Sequence, residues 1–591
     1  MQIIQKLGRL PIVLTFPGLA LLLVVFGIPI VLLFLTSLSA PDFSLANYSA
    51  FLSNSANVGV LLQTIEISVI ATIICILIGY PTAYLIVAAS KPLRVVLLVL
   101  VIIPYLTSFL ARTYAWIVIL GDSGLINNIL LHFGLISSPL QLIFNRMAVY
   151  IGMVHIMLPM MILPLVSVMM GIDKSLISAA RSMGARPFTA FWRVFIPLSL
   201  PGVRSGSLLV FVICLGFYIT PAALGGLGDA MLSTFIAAQV QTTFELAGIA
   251  TSSFVLLAIA VTMLSMVGLD LSGSSDQGTP LRKSWPSRVI SVSALNRYLG
   301  ELSAPSRARR WTAHLYKSGG GNGWSKISGS AFIGLVMTFL LFPEIVVIIM
   351  SFSAGAFLEF PPSGLSLQWY RSFFGDPVWY GATQTSIKIG IVVTILSTVF
   401  GTLAAYGLSR SDALTRRSVT MMILAPITIP AIVVGVATYL GLIKLGLIGS
   451  VTGIVLAHSI GAMGYVVVIV SATMANFDRR LEQAAQSMRA GPLQTFMRVT
   501  LPLIRPGIIG GALFAFLHSF DEVVSTSLVS GFSVYTLPLK MWENIRNEVD
   551  PTVAAVASLL TLLPVLWLVA LYVAWWRSRA ADQEALSKAT I

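Results

Sequence analysis

Ile172–Gly202 reads IDKSLISAARSMGARPFTAFWRVFIPLSLPG, and Phe477–Gly507 reads FDRRLEQAAQSMRAGPLQTFMRVTLPLIRPG. At a constant offset of 305 residues, Asp173 matches Asp478, Ala179-Ala180 matches Ala484-Ala485, Pro197 matches Pro502 and Pro201-Gly202 matches Pro506-Gly507. A spacing kept over that distance marks an internal duplication, so the chain is two copies of one unit. In each copy the Ala-Ala pair and the following Met favour a short helix. The later proline pair limits its continuation into the apolar stretch beyond.

Outward from these segments the sequence is apolar. Of the 591 residues, 57% are hydrophobic and 10% charged, against roughly a quarter charged in a soluble domain; the mean hydropathy is +0.92. The apolar residues fall in blocks of about 20 to 28, the length a helix needs to cross about 30 Å of hydrocarbon. Spans are expected near 10–38, 59–88, 93–120, 148–170, 203–225 and 247–268, then near 330–352, 382–408, 418–442, 451–473, 507–529 and 553–576. Each quoted segment follows the fourth span of its half, so the halves are parallel repeats. Lys6 and Arg9 precede the first span, which is too long for an ordinary signal peptide and is read as an uncleaved anchor.

The net charge of +14 is explained by topology rather than by nucleic acid, because the basic residues cluster at the ends of apolar blocks. With the N-terminus inside, 29 of the 36 Lys and Arg fall on the cytoplasmic side and seven on the other. Both termini, both quoted loops and the polar segment Asp270–Gly329 are therefore expected in the cytoplasm. That segment is rich in Ser, Gly and Arg, includes Arg307, Arg309 and Arg310, and reads as a flexible linker beside anionic lipid.

The two loops resemble the EAA loop of ABC importer permeases, the coupling helix that docks on the ATP-hydrolysing subunit. That pattern is Glu-Ala-Ala, three residues, Gly, then Ile/Leu-Pro about a dozen positions on; the chain keeps Ala179, Ala180, Gly184 and Ile196-Pro197, and Ala484, Ala485 and Leu501-Pro502. The Glu position holds Ser178 in one loop and Gln483 in the other, with Glu482 one residue away. The loops also read Gly184-Ala185-Arg186-Pro187 and Arg489-Ala490-Gly491-Pro492. Since Gly supplies the left-handed residue that ends a helix, the second docking helix is expected to end about two residues later than the first. A bland alternative, amphipathic helices resting on headgroups, does not account for two copies in register.

The resemblance extends into the spans. Thr107-Ser108-Phe109-Leu110-Ala111-Arg112-Thr113-Tyr114-Ala115-Trp116 and Gly124-Leu125-Ile126-Asn127 are similar to the first permease subunit of polyamine importers; Ser519-Phe520-Asp521-Glu522-Val523-Val524, Thr536-Leu537-Pro538 and Met541-Trp542 are similar to the second. Importers of iron, thiamine or aminophosphonates share the architecture. The implied fold is an all-α polytopic membrane protein of about 12 transmembrane helices in two parallel six-helix repeats, the type I ABC importer transmembrane domain. The expected units are residues 1–269 (core 59–268), the linker 270–329, and 330–591 (core 382–576).

Charges within spans are functional candidates because each costs several kcal/mol unless it faces protein or water. Asp521 and Glu522 lie deep in the eleventh span, and the offset of 305 puts Gly216 and Phe217, then Tyr218, at the matching place in the fifth. Carboxylates facing aromatic rings suit a cationic amine; a structural hydrogen-bond network or an outer gate is the alternative and suits them somewhat better. Glu66 and Lys388 correspond when Gly79–Tyr84 is aligned with Gly401–Tyr406. Three readings stand: a cross-axis pair, a Lys388 that snorkels outward, or a Lys388 that meets Glu344. Arg112 reads as a gate or headgroup contact near an outer boundary. Pro159 and Gly464, matched at offset 305, read as a hinge or as packing. The scattered histidines and the two cysteines, Cys75 and Cys214, lack metal or disulfide spacing and read as packing residues.

No GxxxxGK[ST] phosphate loop occurs, so ATP hydrolysis is expected on partners rather than on this chain. The resemblance implies a transport permease in the bacterial inner membrane with two ABC ATPase subunits, which bind ATP and Mg, at its cytoplasmic face and a periplasmic solute-binding protein outside. It would pass a small cationic solute, a polyamine such as spermidine or putrescine, with no cofactor or metal in this chain. An ion-coupled secondary transporter, which also has two six-span halves, needs no matched docking loops. A membrane scaffold leaves Asp521 and Glu522 without a role.

Overall fold

An apolar chain in hydrocarbon must satisfy its backbone internally, and helices do so within one segment. The computed structural model describes residues 11–267 and 323–566, apart from positions 40, 244, 358, 532, 548 and 549, together with residue 573. Its described elements are helices, with one isolated antiparallel bridge between Ser353 and Leu365. Most of the expected linker, with Arg307, Arg309 and Arg310, and the charged chain ends, with Lys6 and Arg9, lie outside the described residues.

The first half runs α1 (Ile12–Ser37), α2 (Ser55–Ala88), α3 (Lys91–Leu106), α4 (Phe109–Leu120), α5 (Arg146–Met170), α6 (Lys174–Ser182), α7 (Ile196–Leu215), α8 (Ile219–Leu224), α9 (Leu232–Thr242) and α10 (Leu246–Val267). The second runs α11 (Gly323–Met350), α12 (Pro377–Ser409), α13 (Ala413–Thr428), α14 (Ala431–Lys444), α15 (Val451–Ala475), α16 (Arg480–Ser487), α17 (Leu501–Asp521), α18 (Val524–Val529), α19 (Leu537–Asn547) and α20 (Thr552–Leu566). Each labelled element of the first half has its counterpart ten labels on, whereas the short helix Leu125–His132 of the first half has none in the second. Among the described residues ten helices are long and apolar enough to cross a membrane, and α13 with α14 makes an eleventh if that pair, bent by 100°, is one span. The apolar α20 holds the twelfth place.

Four expected spans are interrupted. The block near 93–120 breaks at Thr107-Ser108 into α3 and α4, and its counterpart near 418–442 breaks at Ile429-Pro430 into α13 and α14. Pro104 and Pro426 lie just before these breaks, where a missing donor and a ring clash favour a bend. The blocks near 203–225 and 507–529 end as long helices at Leu215 and Asp521 and resume as the short α8 and α18. At the opposite end, α7 and α17 are each entered through a widened turn, Phe191–Phe195 and Phe496–Thr500.

The core of each half is a three-helix layer, α2 with α5 and α7, and α12 with α15 and α17. The first helix of each half packs on the other half. Leu22, Val25 and Phe26 of α1 are buried among Ala404, Leu408, Ile423, Val434, Ile460 and Met463, and Pro29 lies so close to Gly441 that a methyl there would be 2.4 Å from its Cγ. Reciprocally, α11 buries Val336, Met337 and Leu340 with first-half residues, and its Phe339 packs at a tilt against Trp116 and edge-on to His155. Lipid tails are as apolar as these side chains, so close fit rather than water exclusion holds the exchange together. Gln241 and Arg546, which are 305 positions apart, hydrogen-bond across the halves at 3.3 Å and so mark the pseudo-twofold axis.

Candidate functional site

The two loops lie at one end of the bundle, where α5 and α15 finish and α7 and α17 begin. Asp173 caps α6: its Oδ1 accepts from the Ser175 N–H at 2.8 Å and its Oδ2 from the Ser175 hydroxyl at 2.6 Å. These bonds hold its carboxyl below the ordinary value of 3.8. Asp478 accepts from the Arg480 N–H at 2.9 Å. Pro197 and Pro502 occupy the first turns of α7 and α17, directly after the widened turns Phe191–Phe195 and Phe496–Thr500.

The expectation that α16 runs two residues past its counterpart fails. Gly184 has φ +85° and Arg489 has φ +63°, and the closing bonds match: Ala185 N to Ala180 O at 3.0 Å, and Ala490 N to Ala485 O at 3.1 Å. Both helices therefore end in the same motif at the same position. Arg489 itself takes the left-handed conformation, while Gly491, at φ −68°, precedes the next short helix.

Helical phase divides each loop into two faces. Ile177 and Ala180, like Glu482 and Ala485, turn toward the spans, whereas Ser178, Ala179, Gln483 and Ala484 are exposed. Large apolar residues also stand exposed, and they recur at offset 305: Leu176 and Leu481, Met183 and Met488, Phe188 and Leu493, Trp192 and Met497. Met183 and Met488 are 83% and 84% exposed. Glu482, by contrast, is committed inward, to Arg410 at 2.5 Å and to the Thr500 hydroxyl.

The second constellation is a buried junction between the halves. Asp521, the last residue of α17, accepts from the Ser108 hydroxyl at 2.5 Å and from the Phe109 N–H at 3.1 Å. A carboxylate of one half thus closes the N-terminus of α4 in the other, where exposed N–H groups and the helix dipole favour negative charge. At the pseudo-equivalent place Gly216 meets Pro430, and a methyl on Gly216 would lie 2.7 Å from the proline Cβ and 3.0 Å from the Ala431 nitrogen. One joint is a charged latch and its counterpart is a glycine–proline contact.

Arg112, one turn into α4, is wholly buried. It donates to Thr107 O at 3.2 Å and Ile156 O at 3.4 Å, and lies 4.9 Å over the Phe109 ring. So enclosed by protein, it is not exposed for a headgroup contact. The break at Thr107-Ser108 folds it inward, within the fields of Glu344 and Asp521. Glu344 accepts from Thr107 at 2.8 Å and Thr561 at 3.1 Å, so it is not the partner of Lys388. Phe217 packs edge-on to Phe109 at 6.1 Å, and Tyr218 packs on Trp542 at 5.4 Å. Glu522 caps α18 through the Ser525 N–H at 2.8 Å.

The cross-axis pair of Glu66 and Lys388 does not form. Glu66 meets Arg146 of its own half at 3.2 Å, and Arg146 also meets Asp229 at 3.0 Å; Lys388 lies exposed on α12 without an ion pair among the described residues. Pro159 sits inside an unbroken α5, and Gly464 gives room to Ile427, whose Cδ1 would be 2.4 Å from an added methyl. His155 is held by Leu340 O at 3.1 Å, and His458 bridges Ser519 and Thr526 at 2.9 and 2.8 Å. Sequence reasoning missed Ser108, Arg410 and Thr500 as site residues. A Thr-Ser pair within an apolar run after Pro104 was the available signal for the first.

The profile of the family described as binding-protein-dependent transport system inner membrane component matches residues 75–272 and again 397–579, together more than half of the chain. The spermidine/putrescine transport system permease protein PotB of Haemophilus influenzae is 38% identical over 198 residues, 33% of this chain and 69% of that protein. The putrescine transport system permease protein PotI of Escherichia coli K12 is 31% identical over 259 residues, 43% of this chain and 91% of that protein. A solved bacterial ABC transporter involved in the import of the acidic polysaccharide alginate aligns with a TM-score of 0.34 and 18% identity over 45% of this chain and 97% of that one. The chain belongs to the family of binding-protein-dependent transport system inner membrane components and carries the family's domain twice.

Proposed function

We propose that this chain supplies the whole membrane pathway of an ATP-driven importer for a small cationic solute of the polyamine class, such as spermidine or putrescine. The observation that carries the reading is the pair of exposed apolar faces, Leu176, Met183, Phe188 and Trp192 on one loop and Leu481, Met488, Leu493 and Met497 on the other. Apolar residues grouped on an otherwise polar loop mark an interaction surface. A surface repeated about a twofold axis suits a dimeric partner.

Two ATPase subunits, each with ATP and Mg, are that partner in this reading. The bias of Lys and Arg supports a cytoplasmic location for both loops and both chain ends in a bacterial inner membrane, with a solute-binding protein at the opposite, periplasmic face. Closure of the ATPases pushes the segments 173–197 and 478–502 and rocks the halves. Because both Asp521 oxygens are engaged in the latch, Asp521 acts as a gate that must part from α4 before solute passes. Glu522, Phe217 and Tyr218 adjoin that opening. Support for a polyamine comes from the PotB and PotI relatives and from two junction carboxylates, Asp521 and Glu344, beside the single Arg112.

The test is reconstitution in vesicles with a candidate ATPase and binding protein, following labelled putrescine and spermidine against ferric iron, thiamine and an aminophosphonate. ATP-dependent polyamine uptake supports the proposal. Uptake driven by an ion gradient alone, unaffected when both loops are scrambled, overturns it in favour of a secondary transporter.

A further inference from the structure

The two loops present matching outer faces but are fastened to the spans differently. In the second half, Glu482 of α16 pairs with Arg410 at the end of α12 at 2.5 Å, with both side chains largely shielded, and also receives the Thr500 hydroxyl at the entry to α17. Arg410 lies 4.8 Å over the Tyr406 ring, and Tyr406 packs on Phe496 at 4.9 Å. From the same loop, Arg479 donates to Ser409 O, a terminal carbonyl of α12. Two charged contacts thus tie the second loop to α12, and Thr500 ties it to α17.

In the first half the positions of Glu482, Thr500 and Arg410 are apolar, and Lys174, at the place of Arg479, makes no ion pair among the described residues. Ile177 stands at the place of Glu482 and packs against the apolar cluster that holds Phe195, which stands at the place of Thr500; Phe195, Tyr84 and Phe191 make ring contacts of 5.2 to 5.5 Å with one another. The carbonyl equivalent to Ser409 is that of Val87, and an arginine caps it too, but from another element: Arg94 of α3 donates at 2.7 Å. Among the described residues, the side-chain hydrogen bonds of α6 and its cap stay within the loop, from Ser175 to Asp173 and from Ser178 to Lys174 O. An apolar ring joint slides at small cost, whereas a shielded ion pair tolerates little change in geometry.

We propose that Glu482, Arg410, Thr500 and Arg479 are positioning residues that make the second loop a stiff strut, so that the stroke enters the membrane mainly through it while the first loop is a compliant joint. This rests on the coupling role proposed for the loops. Glu482 is the centre of the strut, since its one oxygen Oε1 holds two spans at once.

The full chain in lipid nanodiscs, without any ATPase, tests the strut directly. Amide exchange across 480–488 should be at least about tenfold slower than across 174–182, and Glu482→Gln should abolish that difference. Equal exchange in the two loops of the parent protein overturns the strut whatever the function. With ATPase and binding protein added, Glu482→Gln and Arg410→Gln should each lower solute carried per ATP hydrolysed at least about fivefold, and the charge swap Glu482→Arg with Arg410→Glu should recover at least half. An unchanged ratio, or an equal fall on Ile177→Ala, overturns the proposal, since a loop that only holds shape would lose hydrolysis and transport in parallel. Failure of the parent protein to engage any ATPase would instead sink the coupling role, leaving the exchange result to stand alone.

Discussion

Arg489 shows how one residue bears the cost of a duplicated turn. A non-glycine side chain in the left-handed region is disfavoured by about 1 kcal/mol, yet Arg489 at φ +63° closes α16 as Gly184 closes α6. Arg489→Gly should therefore steady the end of α16, slowing amide exchange at Arg489 and Ala490 about fivefold, the equivalent of ~1 kcal/mol. Gly184→Arg should do the reverse in the first loop. Asp173 carries a pH dependence. Its carboxyl is held below 3.8 by the Ser175 hydroxyl first and the Ser175 N–H second, so its capping contribution is complete above that value and fades as the pH falls through the lowered one. Protection at Ser175, its exchange measured against the intrinsic rate at each pH, should fall on acidification in the parent chain. In Asp173→Asn, which keeps an acceptor but has no proton to gain, exchange should follow only the intrinsic rate; an acid step that persists there would remove Asp173 as its cause.

The α3–α4 break is where a charge in the membrane acquires a purpose. Breaking a span exposes N–H groups in hydrocarbon, a cost of several kcal/mol unless something accepts from them, and Asp521 does so from the other half. Asp521→Asn keeps the shape and one acceptor but leaves Arg112 with only Glu344 as an opposing charge. It should abolish uptake while leaving the purified chain assembled by size-exclusion chromatography. Asp521→Ala should also quicken exchange at Phe109 about tenfold, ~1.4 kcal/mol; unchanged exchange would mean the latch is not closed in the membrane. The repeat that names the family was legible in the sequence because Asp, Ala-Ala, Met and Pro-Gly recur at one offset. The latch was not, because pairing Asp521 with its offset partner Gly216 compares equivalent places, and a pseudo-twofold axis brings equivalent places against different neighbours. Glu482 is legible in the sequence as a charge near the Ala pair, but only helical phase, three residues before Ala485, reveals that it faces inward. Lys388 and Glu66 misled for a related reason: opposite charges at matched positions are distant whenever those positions lie away from the axis.

At the scale of the molecule, the exchanged first helices make the fused chain a single interlocked body. Hydropathy finds α1 and α11 but cannot assign their neighbours, since an apolar stripe fits any apolar groove. The contacts of Leu22 and Phe26 with Ile460 and Met463, and of Phe339 with Trp116 and His155, assign each helix to the opposite core. The covalent connection between α10 and α11 is then not what holds the halves together. A chain cut between residues 267 and 323 should still purify as one complex when only one fragment carries a tag, and should keep its uptake in the reconstituted system. Removing α1 from the cut pair should weaken co-purification more than the cut itself, because Ala404, Ile423 and Met463 lose the helix that covers them. Fragments that separate in detergent and fail to rejoin in lipid would show that the connection, rather than the exchange of helices, keeps the two repeats paired.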